Sequence, residues 1–122
     1  MKPLTPLELE VMEVIWGLKR ATVRQVFEVL RERRKLAYTT VMTVMGTLEQ
    51  KGHLKRTKEG RAYLYAPVRS RRAALSEQVQ DFLDRVFGGS AKPLVLSLVE
   101  SKKLSKRELD EIARLAGEEE KP

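Results

Sequence analysis

Cysteine is absent from the 122-residue chain, and His53 is its single histidine. The absence of cysteine excludes disulfide scaffolds, thiolate metal sites and cysteine nucleophiles together, and a single histidine leaves His53 as the one imidazole any histidine-based triad could use. No apolar run approaches the ~18 residues that a membrane-spanning helix requires, and the first residues lack a signal-peptide pattern. The expectation is a soluble, cytoplasmic protein that is not an enzyme. It should have no catalytic residues, no metal, no cofactor and no membrane insertion.

What the chain does have is charge. Charged residues make up 34% and hydrophobic residues 42%, a globular composition for one domain or a small domain with an appendage. The formal net charge is +7, and it is segregated. Residues 1–69 carry 14 basic and 7 acidic side chains, whereas residues 70–122 carry 10 of each. From Arg31 to Arg72 the balance is 12 basic to 3 acidic. A basic excess confined to one segment is the footprint of a polyanionic partner, because neutralising phosphates releases condensed counterions. The division suggests two regions, 1–69 and 70–122.

Three helices read out of the first 52 residues. Thr5 as N-cap, Pro6 at the first helical position and Glu8 three residues after the cap form a capping box, with Leu4 and Leu9 as its hydrophobic staple. Leu7, Val11, Val14, Ile15 and Leu18 continue at helical spacing, with Gly17 near the end. Thr22 and Gln25 repeat the box for a second helix whose apolar face is Val23, Val26, Phe27 and Leu30. A third helix, 38–51, carries the stripe Val41, Val44, Met45 and Leu48 and stops at Gly52. The period then changes to two. Strands over Leu54–Lys58 and Arg61–Ala66, joined at Glu59-Gly60 and ended by Pro67, make a hairpin over 54–66.

The remainder returns to helix. Ala74, Leu75, Val79, Phe82, Leu83, Val86 and Phe87 form a wide apolar face that stops at Gly88-Gly89. Ser90 is placed to cap a short helix containing Leu94 and Leu98, and Ser105 with Glu108 makes a third capping box ahead of Leu109 and Ile112. The acidic tail after Gly117 is expected to fray. About 50 residues cannot bury this much apolar surface alone, so Leu75, Val79, Phe82, Leu83, Val86, Leu94, Leu98, Leu109 and Ile112 are the candidate dimerisation residues. Folding back onto the first region is the alternative.

The outward face of the third helix is the most informative surface. Thr39, Thr40, Thr43, Gly46, Thr47 and Gln50 lie opposite its apolar stripe, where solvated helices usually carry Glu and Lys. Small hydroxyl-bearing side chains suit a major groove, where they reach phosphates, base edges and thymine methyls. Tyr38 begins the same helix. Lys55, Arg56, Lys58 and Arg61 make the hairpin a cationic ribbon able to follow the backbone or enter the minor groove. Tyr63 and Tyr65 read as packing residues, and His53 as a structural or phosphate-facing residue at the helix-to-strand junction. A helix pair, a threonine-faced third helix and a basic ribbon, in that order, describe a winged helix-turn-helix. The fold expectation is mostly α, with three helices and a β-hairpin wing followed by helices for dimerisation. The partner expectation is double-stranded DNA with a palindromic operator, read by a homodimer. The rival is a winged-helix module whose threonine face docks a protein.

Leu4-Thr5-Pro6-Leu7-Glu8-Leu9-Glu10-Val11-Met12 with Trp16, Tyr38-Thr39-Thr40-Val41 with Thr43, Leu48 and Lys51-Gly52, and Gly60-Arg61-Ala62-Tyr63-Leu64-Tyr65 resemble the penicillinase and methicillin-resistance repressors, the BlaI/MecI family. Leu104-Ser105 with Glu108-Leu109 resembles the start of that family's last dimerisation helix. The resemblance implies a bacterial repressor, dimeric through its C-terminal helices, that binds an inverted repeat at promoters. It also implies departures. Copper-responsive relatives carry a cysteine motif absent here, and many relatives have Arg where Thr47 stands. Antibiotic-responsive relatives are cut at an Asn-Phe bond after a membrane sensor signals, and Ser97-Leu98 stands at that place, so an upstream sensor or protease is not identified for this chain.

Overall fold

Three reciprocal capping boxes set where helices begin. In the computed structural model, which describes residues 3–120 and the side chains of 3–117, Thr5 Oγ1 accepts from the Glu8 amide at 3.2 Å while the Thr5 amide donates to Glu8 Oε1 at 2.9 Å. This box opens α1 (Pro6–Leu18). The Thr22–Gln25 box, with distances of 3.1 and 2.9 Å, opens α2 (Val23–Leu30). Ala37 precedes α3 (Tyr38–Gln50) without a side-chain cap. The other end of α3 is closed by the backbone. The amide of Gly52, at φ +86°, donates to Glu49 O at 3.0 Å, and that of His53 donates to Leu48 O at 2.9 Å. This is a Schellman closure, and the left-handed position it needs is held by glycine.

β1 (Leu54–Glu59) and β2 (Ala62–Pro67) form an antiparallel pair, in register from Leu54 opposite Pro67 to Glu59 opposite Ala62. The turn is therefore Gly60-Arg61, one residue later than the Glu59-Gly60 expected from sequence. Gly60 takes φ +64° as the first turn residue, which is where a II′ hairpin turn needs glycine. Ala21 bridges β2 through two hydrogen bonds with Tyr65, at 2.9 and 2.8 Å, and so ties the ribbon to the start of α2.

The core joins all of these elements. Val11, Met12 and Ile15 of α1, Val26 and Leu30 of α2, Val41, Met45 and Leu48 of α3, and Leu54 and Tyr65 of the ribbon are buried together. Two positions depart from the sequence pattern. Met12 is buried although the helical stripe omitted it, and Leu18 is 46% exposed although the stripe included it. Leu18 is the last residue of α1, and the chain turns away immediately at Lys19, with φ +74°. At the last residue of the helix the apolar stripe has no following turn to carry it into the core.

The chain divides into two compact units, 1–78 and 79–122. The first extends past the Arg69 division suggested by charge, because the opening turns of α4 (Arg71–Phe87) pack within it. Ala74 is buried, Leu75 is half-buried, Arg71 Nε pairs with Glu13 at 2.9 Å, and Gln78 Oε1 accepts from the Leu4 amide at 2.8 Å. Arg69 pairs with Glu77, which holds the Glu77 carboxyl below the usual range. The Trp16 indole donates to Arg69 O at 3.2 Å.

The second unit contains the rest of α4, α5 (Ala91–Glu100) and α6 (Lys106–Glu120). Gly88 and Gly89, at φ +59° and +84°, end α4 where the sequence placed its stop. Ser90 occupies the N-cap position of α5 but makes no side-chain capping bond. The Ser105–Glu108 box is complete, at 3.1 and 2.9 Å. The helix it opens continues through Gly117 to Glu120, so the expected fray after Gly117 is not seen in the backbone; the acidic side chains from Glu118 onward lie outside the described residues. Among the described residues no helix is long and apolar enough to cross a membrane.

Candidate nucleic-acid interface

With Val41, Met45 and Leu48 buried, the opposite side of α3 is forced outward. Thr39, Thr43 and Gln50 are exposed there, Thr40, Gly46 and Thr47 are half-buried, and Met42 is 47% exposed. The helix presents hydroxyls, methyls and one amide to its surroundings and no charged group on that line. Tyr38 is different. It is half-buried, with its ring edge-on to Phe27 at 5.6 Å and the Arg24 guanidinium over its face at 4.8 Å. It fastens the start of α3 to α2 and does not stand free.

The ribbon supplies the cations. Lys55, Arg56, Lys58 and Arg61 are all exposed, and Arg61 sits in the turn itself. Arg56 is the restrained member. Its guanidinium lies 4.3 Å from the centre of the Tyr63 ring and pairs with Glu49 of α3 at 3.3 Å. Hydrogen bonding with Tyr65 and the charge of Glu49 hold it above the ordinary arginine value. Tyr65 packs into the core, whereas Tyr63 is 41% exposed and carries the Arg56 guanidinium on its face.

Two positioning features were invisible in the sequence pattern. Glu8, only 5% exposed, serves the α1 capping box and also accepts from Lys51 Nζ at 2.8 Å. Burial alone would raise the Glu8 carboxyl, but the hydrogen bonds from Lys51 and the Thr5 backbone, with the charge on Lys51, outweigh it and lower its pKa. One carboxylate thus anchors both the beginning of α1 and the C-cap of α3. Arg24 is the second feature, and its stacking on Tyr38 depends on two helices meeting. His53 is buried at the α3–β1 junction, where its backbone carbonyl accepts from Val68 at 3.0 Å.

The expected dimerisation residues lie as follows. Leu83 is buried, Leu94, Leu98 and Leu109 are half-buried, and Val79, Phe82, Val86 and Ile112 are exposed. Phe82 meets Phe87 edge-on at 5.8 Å.

The sequence model of the penicillinase repressor family matches residues 4–118. The chain is 30% identical over 115 residues to the penicillinase repressor of Bacillus licheniformis, covering 94% of this chain and 90% of that one. It is 39% identical over 99 residues to the transcriptional regulator BlaI of Mycobacterium tuberculosis, covering 80% and 72% respectively. Among solved structures, the monomeric form of B. licheniformis BlaI in complex with the blaP half-operator superposes with a TM-score of 0.52 at 31% identity, over 57% of this chain and 85% of that one. A winged helix with a threonine-faced third helix and a cationic ribbon, matched along almost its whole length, places this chain in the penicillinase repressor (BlaI/MecI) family.

Proposed function

We propose that the chain is a cytoplasmic transcriptional repressor that binds an inverted-repeat operator in double-stranded DNA as a homodimer. The observation that carries this reading is the pairing of an uncharged, threonine-rich outward face on α3 with exposed cations on the adjacent ribbon. Thr39, Thr40, Thr43 and Thr47 enter the major groove, with Tyr38 setting the start of the helix. Lys55, Arg56, Lys58 and Arg61 hold the reading head on the backbone or in the minor groove. A related repressor solved on a half-operator supports the same use of the fold here.

The exposed Val79, Phe82, Val86 and Ile112 support self-association, since an isolated second unit leaves large side chains in water. A twofold dimer presents two reading heads to two half-sites, and occupancy of the promoter then excludes polymerase without any catalytic step.

The deciding experiment is selection from a random duplex pool, with anisotropy at two salt concentrations and sequencing of the retained fraction. A twofold-symmetric motif with steeply salt-dependent affinity is expected. Weak binding without an enriched motif rejects sequence reading and leaves the threonine face as a protein-docking surface. Within the enriched motif, Thr43→Ala is expected to reduce discrimination between operator and scrambled DNA. Equal loss on both duplexes would remove Thr43 from base reading.

A further inference from the structure

Between α2, the first turn of α3 and the ribbon lies an open cleft of about 500 Å³, lined by Arg24, Tyr38 and Met42 on one side and Arg56, Arg61 and Tyr63 on the other. Three guanidinium groups line it, and none of its lining residues is a carboxylate. The two flanking arginines are arranged alike. Arg24 lies over Tyr38 at 4.8 Å, and Arg56 lies over Tyr63 at 4.3 Å. Each guanidinium has one face on a ring, a cation–π arrangement that holds its plane. Their carboxylate partners, Glu28 at 3.7 Å from Arg24 and Glu49 at 3.3 Å from Arg56, stand outside the cleft.

We propose that Arg24 on Tyr38 and Arg56 on Tyr63 are the two jaws of a phosphate clamp that grips the DNA backbone between the recognition helix and the wing. The clamp rests on the reading of this chain as a DNA binder, and it adds a cation from α2 that belongs to neither the recognition helix nor the wing. A planar guanidinium takes a phosphate through two parallel N–H donors, so a pair held on fixed rings captures the backbone with little ordering left to do. Phosphate carries no sequence, so the clamp sets register and affinity without selecting bases.

Salt titration of Arg24→Ala against operator and scrambled duplexes tests this, with Arg33→Ala as an exposed arginine outside the cleft. Arg24→Ala is expected to weaken both duplexes equally, roughly three- to tenfold near physiological salt, and to flatten the log–log salt slope by about one unit. Arg24→Lys keeps the charge but loses the stacked fork, so its slope should stay near that of the wild type while affinity falls. In parallel, pyrophosphate is titrated into the wild-type protein while the arginine Nε–H resonances are followed. Saturable shifts at Arg24 and Arg56, and none at Arg33, are expected. Absence of those shifts, or an Arg24→Ala loss no larger than that of Arg33→Ala, overturns the clamp. Should the wild type bind no duplex while the pyrophosphate shifts persist, the DNA reading falls and the clamp stands as an anion site.

Discussion

The two units of this chain use similar helices and arrive at opposite surfaces. In the first, α1, α2, α3 and the ribbon bury Val11, Ile15, Val26, Leu30, Met45 and Leu48 completely or nearly so. In the second, Leu83 alone is buried among the described residues, and Val79, Phe82, Val86, Leu96, Ile112 and Leu115 are exposed. The charge is divided at nearly the same place, since the basic excess lies in residues 1–69, within the first unit. The lesson is that a capped amphipathic helix is a local product of sequence, whereas a core needs enough neighbours. The first unit has a third layer, the ribbon pinned to Ala21, that closes its core. The second has the rest of α4 with α5 and α6, and no ribbon closes a core among them.

The sharpest way to break this contrast is to remove a large side chain from each unit. Ile15→Ala is expected to destabilise the first unit by about 2–5 kcal/mol through lost burial and the cavity left behind, read as a lower urea midpoint. Phe82→Ala should act on the proposed self-association instead, weakening it by about 2 kcal/mol as an anchor residue would. Sedimentation velocity would record this as a shift toward monomer at a given concentration, with half-site binding retained. An unchanged sedimentation profile would remove Phe82 from the proposed association surface.

The next effect concerns the shared carboxylate. Glu8→Gln keeps much of the capping geometry but removes the charge that holds Lys51, and is expected to cost about 1–3 kcal/mol at neutral pH. The folded-state pKa of Glu8 is lowered, so its contribution is fully present above the unfolded carboxyl value and is lost as pH falls through the folded one. Urea midpoints followed from pH 6 downward should therefore converge between wild type and Glu8→Gln. Parallel curves would assign the cost to packing alone.

The smallest effects come from the caps, where the two units should look alike. Thr22→Ala and Ser105→Ala delete equivalent hydrogen bonds, to Gln25 and Glu108, and each is expected to cost about 1 kcal/mol of local helix stability. Helix content by circular dichroism and amide exchange at Gln25 and Glu108 would measure them. A cap in the second unit that costs nothing would mean its helix start is set by tertiary packing.

That equivalence explains what could be read in advance. Pro6, Val23 and Lys106 begin helices where the sequence places them, because a capping box is complete within four residues. The third helix ends at its glycine for the same local reason. Errors gathered where tertiary geometry decides. The ribbon turn moved from Glu59-Gly60 to Gly60-Arg61 because cross-strand register, set by Leu54 opposite Pro67, outranks the dipeptide. Leu18 faced outward once the chain left α1 at Lys19. In the candidate site, the threonine face and the ribbon cations were visible as composition. The Glu8–Lys51 bond and the Arg24–Tyr38 stack were not, since they join residues 43 and 14 positions apart through packing alone.

Trp16 gives the two-unit description an optical consequence. It is the single tryptophan of the chain, it belongs to the first unit, and its indole donates to Arg69 O at 3.2 Å. Its fluorescence therefore reports the solvation of one unit and is blind to the other, whereas far-ultraviolet ellipticity sums helices from both. Superimposable melting curves from the two signals would mean that the units unfold as one cooperative system. Separated curves would resolve their stabilities in a single sample, without cutting the chain or attaching a dye.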